Sequence, residues 1–402
     1  MQKRLAITLF FIHVFFFACM VDATVKKPWT FLVYLAAAND LNPFAALDIQ
    51  EMMRVGSNDN LNVIVYLTVQ EDGQQKETKK LYIEQGSFTQ IGATMQRDSG
   101  DVATLQEALE WACVDYPSDH IAVVLWDHGD GPLNRSLENN YFKGVCYDFD
   151  TSNYLTDRDC LHAFSWARDF LRGGKKFDII AFDACLLASL EMAYTLASCA
   201  EYMVASEETI PGDGYQYASI LNYIATQQSD ALSFARFMVR AYKQEYAGMQ
   251  DYTLSAVDLN GLQLLVDNCN AVAQVLASQL RGNSKVAAKA RATIKKCIAT
   301  NSCISFDQGI YVDLYQLYKN LLKKVSGLKL SKSMKKQFAP VLSNGIKLLS
   351  SIIKANVTSS NYKNAGGLSV YFSRNYLDSS YYDLYWTEKN PQWLHFLKAY
   401  LA

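Results

Sequence analysis

The sequence predicts an open α/β fold, with a mostly parallel sheet covered by helices on both faces. Three observations carry that expectation. Apolar runs of strand length alternate with helix-length segments up to about residue 210. Those runs are continuous rather than alternating, as strands buried on both faces require. Half of the 402 residues are hydrophobic and 19% are charged, which supplies apolar surface for a large core and excludes a disordered chain. The formal net charge of −2 gives no electrostatic case for nucleic acid.

The elements follow in order. "WTFLVYLAA" (29–37) and "LNVIVYLTV" (61–69) read as buried strands. Between them Leu47, Met52 and Val55 recur at helical spacing, and the pattern stops at Gly56. Strand–helix–strand is the unit of a parallel sheet. "KKLYIEQGS" and "FTQIGATMQ" read as a polar hairpin, and "DVATLQEALEWACVDY" (101–116) as an amphipathic helix capped by Asp101. "HIAVVLWDHGDGP" (120–132) is a strand running into a glycine-rich turn. A helix opened by Thr156 precedes the strand "FDIIAFDAC", and a further helix leads to the strand and loop "EYMVASEETIPGDG". Beyond these, helices are expected over 258–281, 284–298, 310–325 and 332–355, then one strand near 367–374 and an aromatic terminal helix. The expected organisation is an export segment (1–23), an α/β core (24–250) and a mainly helical region (251–402) packed on that core.

The first residues have the layout of a secretory signal. Lys3 and Arg4 precede an apolar run from Leu5 to about Val21, and Val21 and Ala23 suit cleavage before Thr24. Cys19 after Phe16-Phe17-Ala18 has part of a lipoprotein box without its usual leucine, so a lipid anchor through Cys19 ranks behind the free secreted form, and an uncleaved apolar anchor ranks last. The expected location is therefore secreted or periplasmic. Besides Cys19 and Cys185 there are Cys113, Cys146, Cys160, Cys199, Cys269, Cys297 and Cys303, an odd set without regular spacing. No disulfide framework can be read from it, and no zinc-ligand spacing occurs.

Two strand ends carry chemistry. "AVVLWDHGDG" places His128 just past one strand, and "IIAFDAC" places Cys185 just past another. In one parallel sheet both would emerge at the same carboxyl edge, on strands ~5 Å apart if neighbours. A cysteine nucleophile needs a base or cation nearby, and a helix starting after Cys185 would add a favourable dipole. Gly129 would let the backbone approach a substrate carbonyl, with its N–H and that of Cys185 forming an oxyanion hole. Taken singly, a strand-end cysteine is usually core packing and a loop histidine usually has no role. The pair together favours chemistry.

These motifs bring a family into view. "VYLAAANDLNPFAALDIQEM", "VVLWDHGDG", "GVCYDFDTSNYLT", "IIAFDACLLASLEMAY", "VASEETIPGDGYQY" and "GGLSVYF" resemble the clostripain-like cysteine peptidases, relatives of caspases, gingipains and legumains. The histidine also precedes the cysteine at close to the roughly 50-residue spacing of caspase-type proteases. The resemblance implies a caspase-like three-layer α/β sandwich with a helical C-terminal extension. It implies catalytic His128 and Cys185 and oxyanion donors at Gly129 and Cys185. It further implies cleavage of proteins or peptides after Arg or Lys, for which Asp183 and Asp213 are candidate substrate-binding carboxylates. Asp183 could instead cap the following helix, and Asp213 could be a turn residue. Relatives often mature by self-cleavage between histidine and cysteine, which makes Arg135 and Lys143 candidate sites. The chemistry needs no cofactor; calcium is an option the resemblance leaves open, with Asp148 and Asp150 a thin acidic pair and no EF-hand spacing. A monomer is expected. Pro132 and "CLLAS", read as the start of the helix after the cysteine, depart from the common family pattern and bear on substrate preference. Two alternatives stand beside basic specificity: a non-basic preference on the same fold, and a catalytically inactive caspase-like binding protein.

Overall fold

The computed structural model describes residues 26–70, 74–133, 144–281, 285–328 and 332–402. The export segment, Cys19, Arg135 and Lys143 lie outside them.

Along the chain come β1 (Lys27–Ala37), α1 (Asn42–Met53), β2 (Leu61–Val69), β3 (Glu77–Glu84), β4 (Ser87–Met95), α2 (Val102–Asp115) and β5 (Ser118–Trp126). A short pair, β6 (Val145–Asp148) and β7 (Asn153–Leu155), leads to α3 (Asp157–Trp166), β8 (Phe177–Asp183), α4 (Leu190–Leu196) and β9 (Ala200–Ala205). Next are α5 (Tyr217–Thr226), α6 (Ala231–Glu245), β10 (Thr253–Asp258), α7 (Leu262–Gln279) and α8 (Lys285–Cys297). The chain continues with β11 (Ser305–Phe306), β12 (Tyr311–Asp313), α9 (Leu314–Lys324), α10 (Lys332–Ile352) and β13 (Ile353–Thr358). It closes with β14 (Ser369–Tyr371), α11 (Tyr385–Lys389) and α12 (Pro391–Leu401).

One nine-stranded sheet runs β13-β10-β9-β8-β5-β1-β2-β3-β4. Its middle, β9-β8-β5-β1-β2, is parallel, and antiparallel strands extend both ends. The continuous apolar runs have the expected cause. In β1, Phe31, Val33 and Leu35 join a core with α1, α5 and α6, while Leu32, Tyr34 and Ala36 join the core on the opposite face with α2, α3, α4 and α7. Helices on both faces give the three layers that the sequence predicts. Asp101 caps α2 through Ala103 N–H, and Thr156 closes a capping box with Asp159 on α3.

The region after residue 250 differs from expectation. One strand was expected there, and five are present among the described residues, two of which (β10 and β13) extend the main sheet. These strands are short, "TLSAVD" and "IKANVT", and β13 follows α10 without a Gly or Pro to mark the change. Nothing in hydrophobic period separates such a strand from the helix before it. The helices α5 and α6 lie where the sequence reading marks no element. The eight described cysteines are all free thiols.

Candidate active site

β5 and β8 lie side by side in parallel, with Trp126 in register with Asp183. The Asp127 N–H donates to the Asp183 carbonyl at 3.2 Å, so both chains leave the sheet together. His128 and Cys185 therefore sit on adjacent strand ends at one carboxyl edge, as their sequence positions predict. A Cβ on Gly129 would lie 2.4 Å from the Cys185 carbonyl oxygen and 2.9 Å from its nitrogen. Only glycine permits that approach. Among the described residues, neither the Gly129 nor the Cys185 N–H is taken up in a backbone hydrogen bond.

The histidine turn is fixed from below by Asp127. Its buried carboxylate accepts from Asn39 Nδ2 at 2.7 Å and from the Tyr147 N–H. The loop after β1 supplies Asn39 and also Asp40, whose Oδ1 lies 2.7 Å from His128 Nε2. An ionised carboxylate only accepts, so this contact places the imidazole proton on Nε2 and leaves Nδ1 as the basic nitrogen. Burial lowers the His128 pKa, and Asp40 partly offsets the shift. The imidazole is thus neutral near pH 7. From far along the chain, Tyr311 Oη donates to the Asp130 carbonyl at 3.0 Å and buttresses the same turn.

Cys185 sits in the opposite state from a preformed thiolate. Burial pushes its pKa up to about 11, and the carboxylates of Glu208, Asp183 and Asp127 act in the same direction. The Ile210 N–H, 3.3 Å from Sγ, offsets part of this. The expected helix dipole is not placed at the sulfur. Leu186 turns into the left-handed region (φ 66°), and α4 begins only at Leu190 with Ser189 as its cap. Alkylation of the free protein at Cys185 by iodoacetamide is therefore expected to keep rising about tenfold per pH unit from ~pH 8 to 10. A rate that levels off below pH 8 would contradict this account of the thiol.

Asp183 does not cap the helix. Its Oδ2 accepts from the Tyr215 N–H at 3.0 Å and from Tyr217 Oη at 2.8 Å, while the buried Oδ1 has no hydrogen-bond partner. Gly214, in the left-handed region at φ 57°, lies against this carboxylate, where a Cβ would be 2.6 Å from Oδ2. The same loop carries exposed Asp213 and rests Gly212 on the Phe44 ring of α1. One further turn along α1, Asp48 accepts from Trp126 Nε1 at 2.6 Å. Burial raises the pKa of both Asp48 and Asp183, and the Asp183 charge raises Asp48 further.

Other acidic positions are occupied elsewhere. Glu207 faces the later part of the chain and accepts from the Gly367 N–H at 2.9 Å. Lys76 Nζ lies 2.8 Å from Asp148 and 3.4 Å from Asp150, so an ammonium already holds the pair considered for calcium. That pair does not fit a calcium site. Among the described residues no cluster of three His, Cys, Asp or Glu side chains could hold a metal.

Sequence reasoning missed Asp40, Asp48, Asn39, Ile210 and Tyr311. Asp40 had a signal: "AAAND" ends β1, which neighbours β5, and so reaches the same edge. Asp48 had none, because a single carboxylate on a buried helix face is indistinguishable from an exposed one by composition.

The fold defines a class. Two solved C11 protease structures match it over nearly their whole length. A secreted C11 cysteine protease from Bacteroides thetaiotaomicron, in complex with an irreversible peptide inhibitor, superposes with a TM-score of 0.65 at 21% identity, covering 92% of this chain and 99% of that one. An inactive zymogen C11 protease from Parabacteroides distasonis gives a TM-score of 0.65 at 20% identity, covering 91% and 99%. At such identities the likeness is one of fold, that of the caspase-like C11 cysteine proteases. The Clostripain family model, Peptidase_C11, matches residues 33–399, and the chain belongs to that family. Clostripain of Hathewaya histolytica is 24% identical over 222 residues, 48% of this chain. The match spans only 42% of that relative's length.

Proposed function

We propose that the protein is an exported cysteine endopeptidase that cuts peptide bonds after Arg or Lys. The observation that carries the reading is the Gly129 backbone pressed against Cys185 at the β5–β8 edge, with His128 the residue before that glycine. Cys185 attacks the scissile carbonyl carbon, and its proton passes to the neutral His128. The N–H groups of Gly129 and Cys185 receive the developing oxyanion. His128 then protonates the leaving amine, which departs as the C–N bond breaks, and a thioester remains. Water, deprotonated by His128, hydrolyses the thioester and returns the thiol. With the thiol pKa raised and the histidine pKa lowered, proton transfer accompanies attack and no resting ion pair is needed.

Basic specificity rests on Asp183 and Asp213. A buried carboxylate oxygen with no partner calls for an explanation, and a cationic side chain entering between the 211–214 loop and α1 supplies one. The chain from Thr24 would be assayed with fluorogenic peptides ending in Arg, Lys, Asn, Asp or Ala. Turnover of the Arg and Lys peptides alone is expected. Asp183→Asn is expected to raise KM for both by about 10- to 100-fold, as loss of a charge-assisted contact implies. If Asp183→Asn and Asp213→Asn leave turnover unchanged, the specificity is not basic; if no peptide is cut, an inactive binding protein becomes the better reading. The same incubation on a denaturing gel tests self-processing at Arg135 or Lys143. Amino-terminal sequencing of the exported protein tests cleavage before Thr24, and fatty-acid labelling tests an anchor on Cys19.

A further inference from the structure

Asp48 has no role in the reaction described so far, and its surroundings are unusual. It lies on the buried face of α1 with only 3% of its surface exposed. The Trp126 indole holds its Oδ2. Trp126 and Asp183 are cross-strand partners in a parallel pair, so their side chains leave the sheet on the same face. The indole thereby sets the Asp48 carboxylate on the sheet face that carries Asp183, within reach of the Asp183 charge. Two buried carboxylates in one place repel, and a cluster of this kind stays folded by holding a proton or a cation.

The groups acting on Asp48 come from every element around it. Asp183 of β8, Glu51 of α1 and Asp213 of the 211–214 loop all bear negative charge towards it. Tyr217 of α5 and Tyr246, just after α6, feel its charge in turn, and both phenols have raised pKa values. The principal charges acting on Asp48 are thus all anionic. Asp183 Oδ1 remains buried and unpartnered.

We propose that Asp48 is a third carboxylate of the primary specificity pocket, and that a basic side chain entering beside it and Asp183 displaces one proton the pair holds when the pocket is empty. This rests on the pocket being basic-specific, as proposed above. The empty pair carries one negative charge and one proton near pH 7. The occupied pair carries two negative charges against one guanidinium or ammonium, and the proton goes to solvent. An Arg fork has donors enough for both carboxylates, whereas Lys presents a point charge.

Linkage then fixes the sign. Because the cation binds the deprotonated pair, affinity rises with pH, by up to about tenfold per unit while one proton is released per cation bound. Over about pH 7 to 8.5, His128 stays neutral and Cys185 stays a thiol, so neither adds to that slope.

The test uses the mature chain and agmatine, a small guanidinium compound, as a competitor of Arg-peptide turnover. For the wild type, the agmatine inhibition constant is expected to fall about tenfold per unit between ~pH 7 and 8.5. In Asp48→Asn, which keeps an acceptor for Trp126, the slope should vanish. KM for Arg peptides should rise at least ~10-fold in that variant while kcat changes less than threefold. Wild-type turnover of Arg and Lys peptides with a pH-independent agmatine constant overturns the inference and leaves the basic specificity standing. So does an Asp48→Asn protein that retains the slope. Absence of Arg or Lys turnover in the wild type sinks the basic specificity itself. Should Asp48→Asn not fold, the wild-type slope alone still decides.

Discussion

The Cys185→Ala protein is expected to fold as the wild type does and to lose turnover of every peptide by ~10⁴-fold or more. The structural cost is small. The sulfur is at the strand end, its hydrogen bonds go to Ile210 alone (from the N–H at 3.3 Å and to the carbonyl at 4.0 Å), and neighbouring Ala184 and Leu187 fill the core below it. Loss of that contact costs roughly 1 kcal/mol, well short of unfolding a domain. The chemical cost is large because Cys146, the other described cysteine near this edge, is fully buried with its thiol pushed far up by desolvation. Cys146, Cys160, Cys199, Cys269, Cys297 and Cys303 are buried, and several are pushed far from the thiolate form by desolvation. Steady-state turnover, with circular dichroism and a melting curve as the control, decides the matter. A folded Cys185→Ala protein retaining a tenth of wild-type activity would remove Cys185 from the reaction.

Gly129→Ala is expected to lower kcat/KM by about 10²- to 10³-fold, the range for loss of one oxyanion donor. The new methyl cannot be accommodated by turning a flexible side chain aside. It meets the backbone of Cys185, and the Ala184 Cβ lies 3.2 Å away. Either the histidine turn lifts from the strand end or the cysteine turn is pushed down, and both separate the two free N–H groups. The effect should fall on kcat, because the Asp183 pocket lies to the side and is not moved. A Gly129→Ala protein with unaltered kcat would show that the Gly129 N–H does not face the reacting carbonyl. The neighbouring Gly131, at φ 70°, makes a different demand, since a Cβ there would strike the Tyr311 ring.

The central sheet was legible because burial on both faces leaves a sequence mark that does not depend on distant residues. β1, β2, β5 and β8 are runs of apolar residues, and their order places the chemistry at one edge. The histidine and cysteine were legible for the same reason, since each directly follows such a run. Asp183 was legible as a residue but not as a contact. Its partners Tyr215 and Tyr217 lie more than thirty positions on, and no periodicity links them. Asp40 and Asp48 were less legible still, because each acts across a strand pair that only the fold creates. The antiparallel strands β10 and β13 failed for a different reason. β13 lies at the sheet edge and is only partly buried, while β10 is internal and buried but just six residues long, so neither stands apart from the helices beside it.

The pairing of β5 with β8 has a consequence for any molecule cut between residues 133 and 144. Such a cut would leave His128 at the end of one polypeptide and Cys185 within another. The two pieces would remain joined through the Ala122-to-Trp126 and Ile179-to-Asp183 ladder in the middle of the sheet. Neither piece could keep its apolar faces covered alone, since β1, β2 and β5 belong to the first and α4 to α7 to the second. A severed molecule would therefore behave as an obligate heterodimer of its own halves, with its reactive pair divided between two subunits and its stability, unlike that of the intact chain, dependent on concentration.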